Sequence, residues 1–168
     1  ERVRVDAKDF NDFIWIPHRP VIKTASQCTS KVRIVFNCSF RLGDAPSLNQ
    51  AAYPGVDLMS SLFSLLCQFR SNKYVILSNV KQAFLQIRLK LEADKIASVF
   101  FWFDGDHLVA YRYTTIVFGL ASSPFILNFV IRHHAARYPD DLYSRVLHNN
   151  FYVDNLIYRS EEHTSELQ

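Results

Sequence analysis

Glycine is scarce in this chain of 168 residues: there are four (Gly43, Gly55, Gly105 and Gly119), none spaced as GxGxxG or GxxxxGK. That argues against a nucleotide site that cradles phosphate on a glycine loop at a helix N-terminus. Cysteine is scarce too. Cys28, Cys38 and Cys67 are an odd number at unrelated spacings with no CxxC, so neither a disulfide scaffold nor a zinc knuckle is expected, and free thiols in a reducing compartment are. No basic-then-apolar leader follows Glu1. The one long uncharged run, Tyr113 to Ile131, is about a bilayer span in length. Thr114, Thr115, Gly119, Ser122, Ser123, Pro124 and Asn128 interrupt it, so it is read as loop and helix with no membrane partner.

What the chain has in quantity is apolar and aromatic mass. Forty-nine per cent of it is apolar and fourteen per cent aromatic, enough for a substantial core, against twenty-one per cent charged. The formal charge is +3. The last ten residues, RSEEHTSELQ (159–168), look like the first-frame translation of a short-read sequencing adapter. They are expected not to be native and are set aside, with the natural reading frame cut before them. Residues 1–158 then carry eighteen basic and thirteen acidic groups, a formal +5, which favours an anionic partner.

The coarse pattern is α+β. Phe13 to Ile22, broken by Pro17 and Pro20, suits an extended edge segment. Lys31 to Phe36 alternates Lys31, Arg33 and Val35 with Val32, Ile34 and Phe36, as a half-buried strand does. Arg41 to Pro54 reads as loop. Asp57 is placed to cap a helix reaching Arg70, with Leu58, Leu62, Leu65, Leu66 and Phe69 as its apolar stripe. Tyr74 to Leu77 is short and continuously apolar, the pattern of a strand buried on both faces. Phe84 to Leu91 alternates again, with Gln86, Arg88 and Lys90 on the wet side. Ile96 to Phe103 and Leu108 to Tyr113 flank Asp104-Gly105-Asp106 as a hairpin. Ser122 or Ser123 before Pro124 opens a helix to about Tyr138. Asn150 to Tyr158 reads as a tighter hairpin around Asp154-Asn155. Strands and helices interleave without regular βα repetition, which excludes a doubly wound sheet.

Three polar residues stand at the ends or turns of apolar strands: Asn79 after YVIL, and Asp154-Asn155 inside FYVDNLIY. Two-metal phosphoryl transfer needs carboxylates on rigid strands around cations about 3.5–4 Å apart. Taken singly, however, Asp154-Asn155 reads as an ordinary hairpin turn. His133-His134 reads as a solvated helix face, because adjacent helical residues point about 100° apart. His18, between two prolines, reads as an exposed loop residue. Cys38 and Cys67 read as small packed apolar groups. In Phe100-Phe101-Trp102-Phe103, alternate rings are expected in the core, leaving one face able to stack on bases.

Six blocks occur in one order: WIPHRPV (15–21), KVRIVFNCS (31–39), SLNQ (47–50), SNVKQAFLQIRL (78–89), VFGLASSPFILN (117–128) and NFYVDNLI (150–157). Together they resemble reverse transcriptases of BEL/Pao-type long-terminal-repeat retrotransposons, over about residues 10 to 158. The resemblance implies the fingers and palm of a right-hand polymerase, about 10–73 mainly fingers and about 74–158 mainly palm with some fingers, ending before the thumb. Fold, partners and cofactor follow as expectations: an RNA or DNA template–primer, deoxynucleoside triphosphates, two Mg²⁺ ions for the intact enzyme, and a cytoplasmic setting that includes retroelement particles.

By position, Asn79 stands where the family has its first palm Asp, and Asp154 and Asn155 match the two carboxylates of the Y-x-D-D hairpin. Phe84 matches the aromatic gate against a ribose 2′-OH. Arg33 matches the fingers arginine on the incoming triphosphate, with Lys31 assisting. Phe118 and Gly119 match the segment beneath nucleotide and template base, and Tyr152 the primer side. The family often has Asp where Asn37 stands. Asn155 is a tolerable departure, since the second hairpin carboxylate is less directly a ligand. Asn79 is not, because Mg²⁺ depends on charged oxygen ligands and a neutral amide offers one uncharged oxygen. The resemblance therefore implies a fragment of an RNA-directed DNA polymerase that adds deoxynucleotides to a primer 3′-OH by two-metal phosphoryl transfer, with a catalytically dead relic that only binds nucleic acid as the alternative. Asn79 and the truncation imply that this chain is inactive. An unrelated RNA-binding sheet that stacks bases on Phe100–Phe103 is the reading displaced by the six ordered blocks.

Overall fold

The computed structural model describes residues 2–3, 14–22, 32–90, 99–139 and 141–160. The chain is a mixture of helices and small antiparallel sheets. It divides into two units, Glu1–Pro54 with Phe84–Ser123, and Gly55–Ala83 with Pro124–Gln168.

The first unit holds two sheets. Strands β2 (His18–Ile22) and β3 (Val32–Phe36) pair antiparallel, with Val21 opposite Arg33 and His18 opposite Phe36. β2 accommodates Pro20 because it has a partner on one side only. The alternation over 31–36 predicted a dry face of Val32, Ile34 and Phe36. Of these only Phe36 is buried, and Val32 is 53% exposed. A two-stranded ribbon has no sheet beyond it to cover the rest of that face. Lys31 lies outside the described residues.

In the other sheet β5 (Val99–Asp104) and β6 (His107–Arg112) form the expected hairpin around Gly105, whose φ of 61° suits a residue without Cβ. β1 (Arg2–Val3) adds to β6. The core of this unit is Ile16, Phe36, Cys38, Leu48 and Val117, with Phe100, Tyr113 and Leu120 packed against it. Helix α1 (Leu48–Ala51) is four residues long and held by a full capping box, Ser47 with Gln50.

α1 falls inside the stretch read as loop, and a further expectation fails in this unit. Phe84 to Leu91 is not a strand: a 3₁₀ turn covers Ala83–Gln86, and beyond it Arg88 makes a single bridge to Thr115. The polar–apolar alternation is satisfied instead by burying Ala83 and half-burying Phe84, Leu85, Ile87 and Leu89 in irregular backbone. Leu91 falls outside the described residues.

The second unit is a three-stranded antiparallel sheet backed by helices. β8 (Asn155–Ser160) lies between β4 (Tyr74–Asn79) and β7 (Phe151–Tyr152). β4 is an edge strand with Leu77 65% exposed, so it is not buried on both faces as its apolar run suggested. β8 runs on through Arg159 and Ser160, the first two residues of the adapter-like string, opposite Val75 and Tyr74. Such pairing uses backbone groups that any residue but proline supplies.

Helix α2 (Leu62–Ser71) starts at Ser61, whose side chain accepts from the Ser64 N–H, and it packs against β8. Asp57 does not cap it. Its carboxylate accepts from the Met59 N–H two residues on, a local turn that uses up the cap before the helix begins. Only Leu65 of the α2 stripe is buried. Helix α3 (Ser123–Ala135) begins at the serine before Pro124 and passes into turns before Tyr138. A further helix, α4 (Leu142–Asn149), follows. It is capped by Asp141 and tied to α3 by the buried Ser144 hydroxyl donating to the Ala135 carbonyl at 2.7 Å. Gly55 meets Phe125 so closely that a Cβ would stand 2.1 Å from the ring.

Candidate functional site

The metal-side candidates all fall in the second unit. β4 ends at Asn79, which lies opposite Asn155, the first residue of the central strand; Asn155 in turn lies opposite Tyr152. Directly opposed residues in antiparallel strands share a face, with Cβ atoms about 4.5–5.5 Å apart. Asn79, Asn155 and Tyr152 therefore form one row across the sheet end, with Asp154 in the turn beside it. Residues seventy-five apart in sequence meet here: Asn79 Nδ2 donates to the Asn155 Oδ1 at 3.1 Å and lies 3.4 Å from the Asp154 carbonyl. The Val80 N–H donates to that same carbonyl at 2.9 Å. Asn155 Nδ2 donates to the Asp154 carboxylate at 3.1 Å.

The hairpin turn is Val153-Asp154, one residue earlier than the sequence suggested, because Asn155 is already paired on both sides. Val153 takes φ of 55° there. A β-branched residue in that region is strained, and the strain is stored next to the carboxylate.

Arg33, Phe84, Phe118 and Gly119 lie in the first unit. Arg33 is exposed on β3. The Phe84 ring meets the Phe118 ring edge-on at 4.9 Å, leaving Phe118 42% exposed. Gly119 has φ of 94°, and a Cβ on it would stand 3.1 Å from the Phe36 carbonyl oxygen. Both the backbone angle and the close approach require glycine.

No protein-family model matches the chain, and no curated protein matches it.

The residues present do not fit a two-magnesium centre. Asp154, in the turn beside the row, is the one carboxylate there. The amide of Asn79 presents its nitrogen to two oxygens, and turning it over would set oxygen against oxygen. Among the described residues no group of three or more His, Cys, Asp or Glu is placed to hold a metal ion. Nor, among them, is any helix long and apolar enough to cross a membrane. Asn79, Asn155 and Asp154 instead form a hydrogen-bonded chain that runs from the Asn79 amide through Asn155 to the Asp154 carboxylate.

The other conspicuous side chains divide. His133 stacks on Phe129 and His134 meets Tyr138, so the two exposed rings have separate aromatic neighbours and share no ligand site. His18 is not a free loop residue. It opens β2 and packs among Phe36, Phe100 and Trp102, with ring centroids 5.2–5.9 Å away. Trp15 stacks flat on Phe101 at 4.2 Å, while Phe103 on the same face of β5 is exposed. Cys38 is buried, and burial pushes its thiol above the ordinary value of 9.0. Cys67 is exposed on α2, not packed as expected. Sequence reasoning missed Asn49, whose amide ties the SLNQ segment to the Gly119 turn. The one signal for it was the place of SLNQ among the six ordered blocks.

Proposed function

We propose that this chain is the fingers-and-palm part of a reverse transcriptase of the BEL/Pao retrotransposon class, an RNA-directed DNA polymerase by descent. Its ligands are an RNA or DNA template–primer and deoxynucleoside triphosphates, in a cytoplasmic setting that includes retroelement particles. The observation that carries the proposal is the meeting of Asn79 with Asp154 and Asn155 at one sheet end. The resemblance assigns those positions, distant in sequence, to one metal site. The edge-on Phe84–Phe118 pair and the glycine-requiring turn after it support the assignment of these residues to a nucleotide pocket, as the exposed Arg33 supports that of a triphosphate contact.

A second reading, a catalytically silent relic that keeps the fold and binds nucleic acid, is favoured by the Asn79 amide. A group that donates hydrogen bonds where a polymerase needs negative charge cannot ligate Mg²⁺. In this chain the polymerase chemistry is therefore disabled at its first carboxylate position.

Fluorescence anisotropy with a labelled RNA–DNA primer–template, followed by primer extension with Mg²⁺, tests both halves. Binding that weakens steeply with salt, without detectable extension, is the expected result. Absence of binding at low ionic strength would sink the polymerase ancestry, and extension by the unaltered chain would sink the argument from Asn79.

A further inference from the structure

Asn49 uses its whole amide in three hydrogen bonds. Its Oδ1 accepts from the Ala121 N–H at 2.8 Å, and its Nδ2 donates to the Gly119 carbonyl at 3.0 Å and to the Ser39 hydroxyl at 2.9 Å. Its own backbone N–H donates to the Cys38 carbonyl at 3.0 Å. The side chain thus grips the 119–121 segment on two sides, while its backbone is fixed to the loop after β3. The segment it grips is tight in its own right. Gly119 is seated against the Phe36 carbonyl with φ of 94°, and the Ser123 hydroxyl donates to the Val117 carbonyl at 2.7 Å. Between these anchors one large side chain is left standing out, the ring of Phe118, edge-on to Phe84.

No other side chain can make the same three bonds. Asp offers a second acceptor where Asn donates to the Gly119 carbonyl, Gln carries the amide one methylene further out, and Ser reaches one partner at most.

The geometry points to Asn49 as a positioning residue for nucleotide binding. It holds the 118–121 turn so that the exposed Phe118 ring, braced by Phe84, forms a fixed wall for the base and sugar of an incoming deoxynucleoside triphosphate. This rests on the polymerase reading, which alone makes the Phe84–Phe118 pair part of a nucleotide pocket. A wall of this kind contacts base and sugar by packing, not by hydrogen-bond readout, so its loss weakens all four nucleotides alike.

The test uses the full chain and two measurements: exchange of the Ala121 amide proton, and affinity for each dNTP with Mg²⁺, read by saturation-transfer NMR. In Asn49→Ala, Ala121 exchange should accelerate and affinity for all four dNTPs should fall about tenfold. Asn49→Asp, which keeps the acceptor for Ala121 and loses both donors, should lie between. Leu48→Ala is the comparison for plain destabilisation: Leu48 is buried on the same short helix and touches none of the three bonds. It should lower the unfolding midpoint while holding dNTP affinity within about twofold. Equal loss of affinity in Leu48→Ala and Asn49→Ala would reduce Asn49 to a structural residue and overturn the inference, as would unchanged affinity in Asn49→Ala despite faster Ala121 exchange. If the unaltered chain takes up no dNTP while Asn49→Ala still frees Ala121, the polymerase reading is what has failed, and the nucleotide role falls with it.

Discussion

Replacing Asn79 by Asp should weaken the fold in the absence of cations and make it respond to Mg²⁺, and the size of both effects follows from the row at the sheet end. The substitution removes the donor that now bonds the Asn155 Oδ1 at 3.1 Å. A net loss of about 1 kcal/mol is expected for one such bond. It also sets a second carboxylate near that of Asp154. At about 6 Å the repulsion is about 0.7 kcal/mol at the dielectric of water and about 2.8 kcal/mol at an effective value of 20. Asn79 is exposed, so the lower end applies, and the total is about 2 kcal/mol at low ionic strength. A divalent cation that binds the new pair reverses the sign. At a concentration twenty times its Kd it returns about 1.8 kcal/mol. Urea unfolding of both forms, in EDTA and in about 20 mM Mg²⁺, reads this directly. The unaltered chain should give the same midpoint in both buffers. Asn79→Asp should be lower in EDTA and recover most of the loss in Mg²⁺. If Asn79→Asp is as stable as the unaltered chain in EDTA and gains nothing from Mg²⁺, the reasoning from the cross-strand row is wrong.

Other consequences are as direct. Val153→Gly should stabilise the chain by about 1 kcal/mol, since relief of a positive-φ valine, about 1–3 kcal/mol, exceeds the extra freedom glycine gives the unfolded state; a lower urea midpoint would refute the strain. Gly55→Ala should cost about 2–5 kcal/mol, combining left-handed strain with a Cβ inside the Phe125 ring contact. Gly105→Ala has the same strain and open space around it, so it should cost much less, and equal costs would contradict the packing. At pH 8 iodoacetamide should alkylate Cys67 well before Cys38, which is buried and has less thiolate, and peptide mass mapping separates the sites. Burial raises the Cys38 thiol and the Tyr113 phenol above their ordinary values of 9.0 and 10.0. The unfolded chain then loses these protons first, so the stability they contribute is complete below about pH 9 and declines as pH rises through the folded values. Urea midpoints should fall between pH 8 and pH 10.5, and fall less in Cys38→Ala; an unchanged slope in that variant would refute the assignment.

The parts of the fold that were legible are those in which local chemistry admits one solution. Asp104-Gly105-Asp106 between two aromatic-rich runs could only be a hairpin, and a serine before Pro124 ahead of an apolar stretch could only open a helix. The meeting of Asn79 with Asp154 was legible in another way, from the order of six motifs, because no local rule connects residues seventy-five apart. The misreadings have physical causes. Phe84 to Leu91 alternates as a strand does, but the positive φ of Gln82 and the turn from Val80 to Ala83 direct the chain into a 3₁₀ turn first. α4 is amphipathic, with Leu142 and Val146 one turn apart behind the capping Asp141, but at eight residues it is too short and too polar overall for that stripe to stand out in the sequence. The exposure of Leu77 and Cys67 depends on which neighbours cover β4 and α2, which no window of sequence contains. Pro17 and Pro20 beside His18 point to a loop, whereas the aromatic side chains that receive it come from β3 and β5.

The proposed polymerase palm, disabled at one metal-ligand position, stands or falls on whether a carboxylate at residue 79 restores chemistry. Primer extension tests it most directly, with residues 1–158 fused to the C-terminal regions of a related active element, once with Asn79 and once with Asn79→Asp, in Mg²⁺. No detectable incorporation is expected with Asn79, and a rescue of at least about a hundredfold with Asp, the loss typical of one fixed electrostatic stabiliser. Incorporation by the Asn79 fusion within about threefold of the Asp fusion, a difference of only ~0.65 kcal/mol, would contradict it.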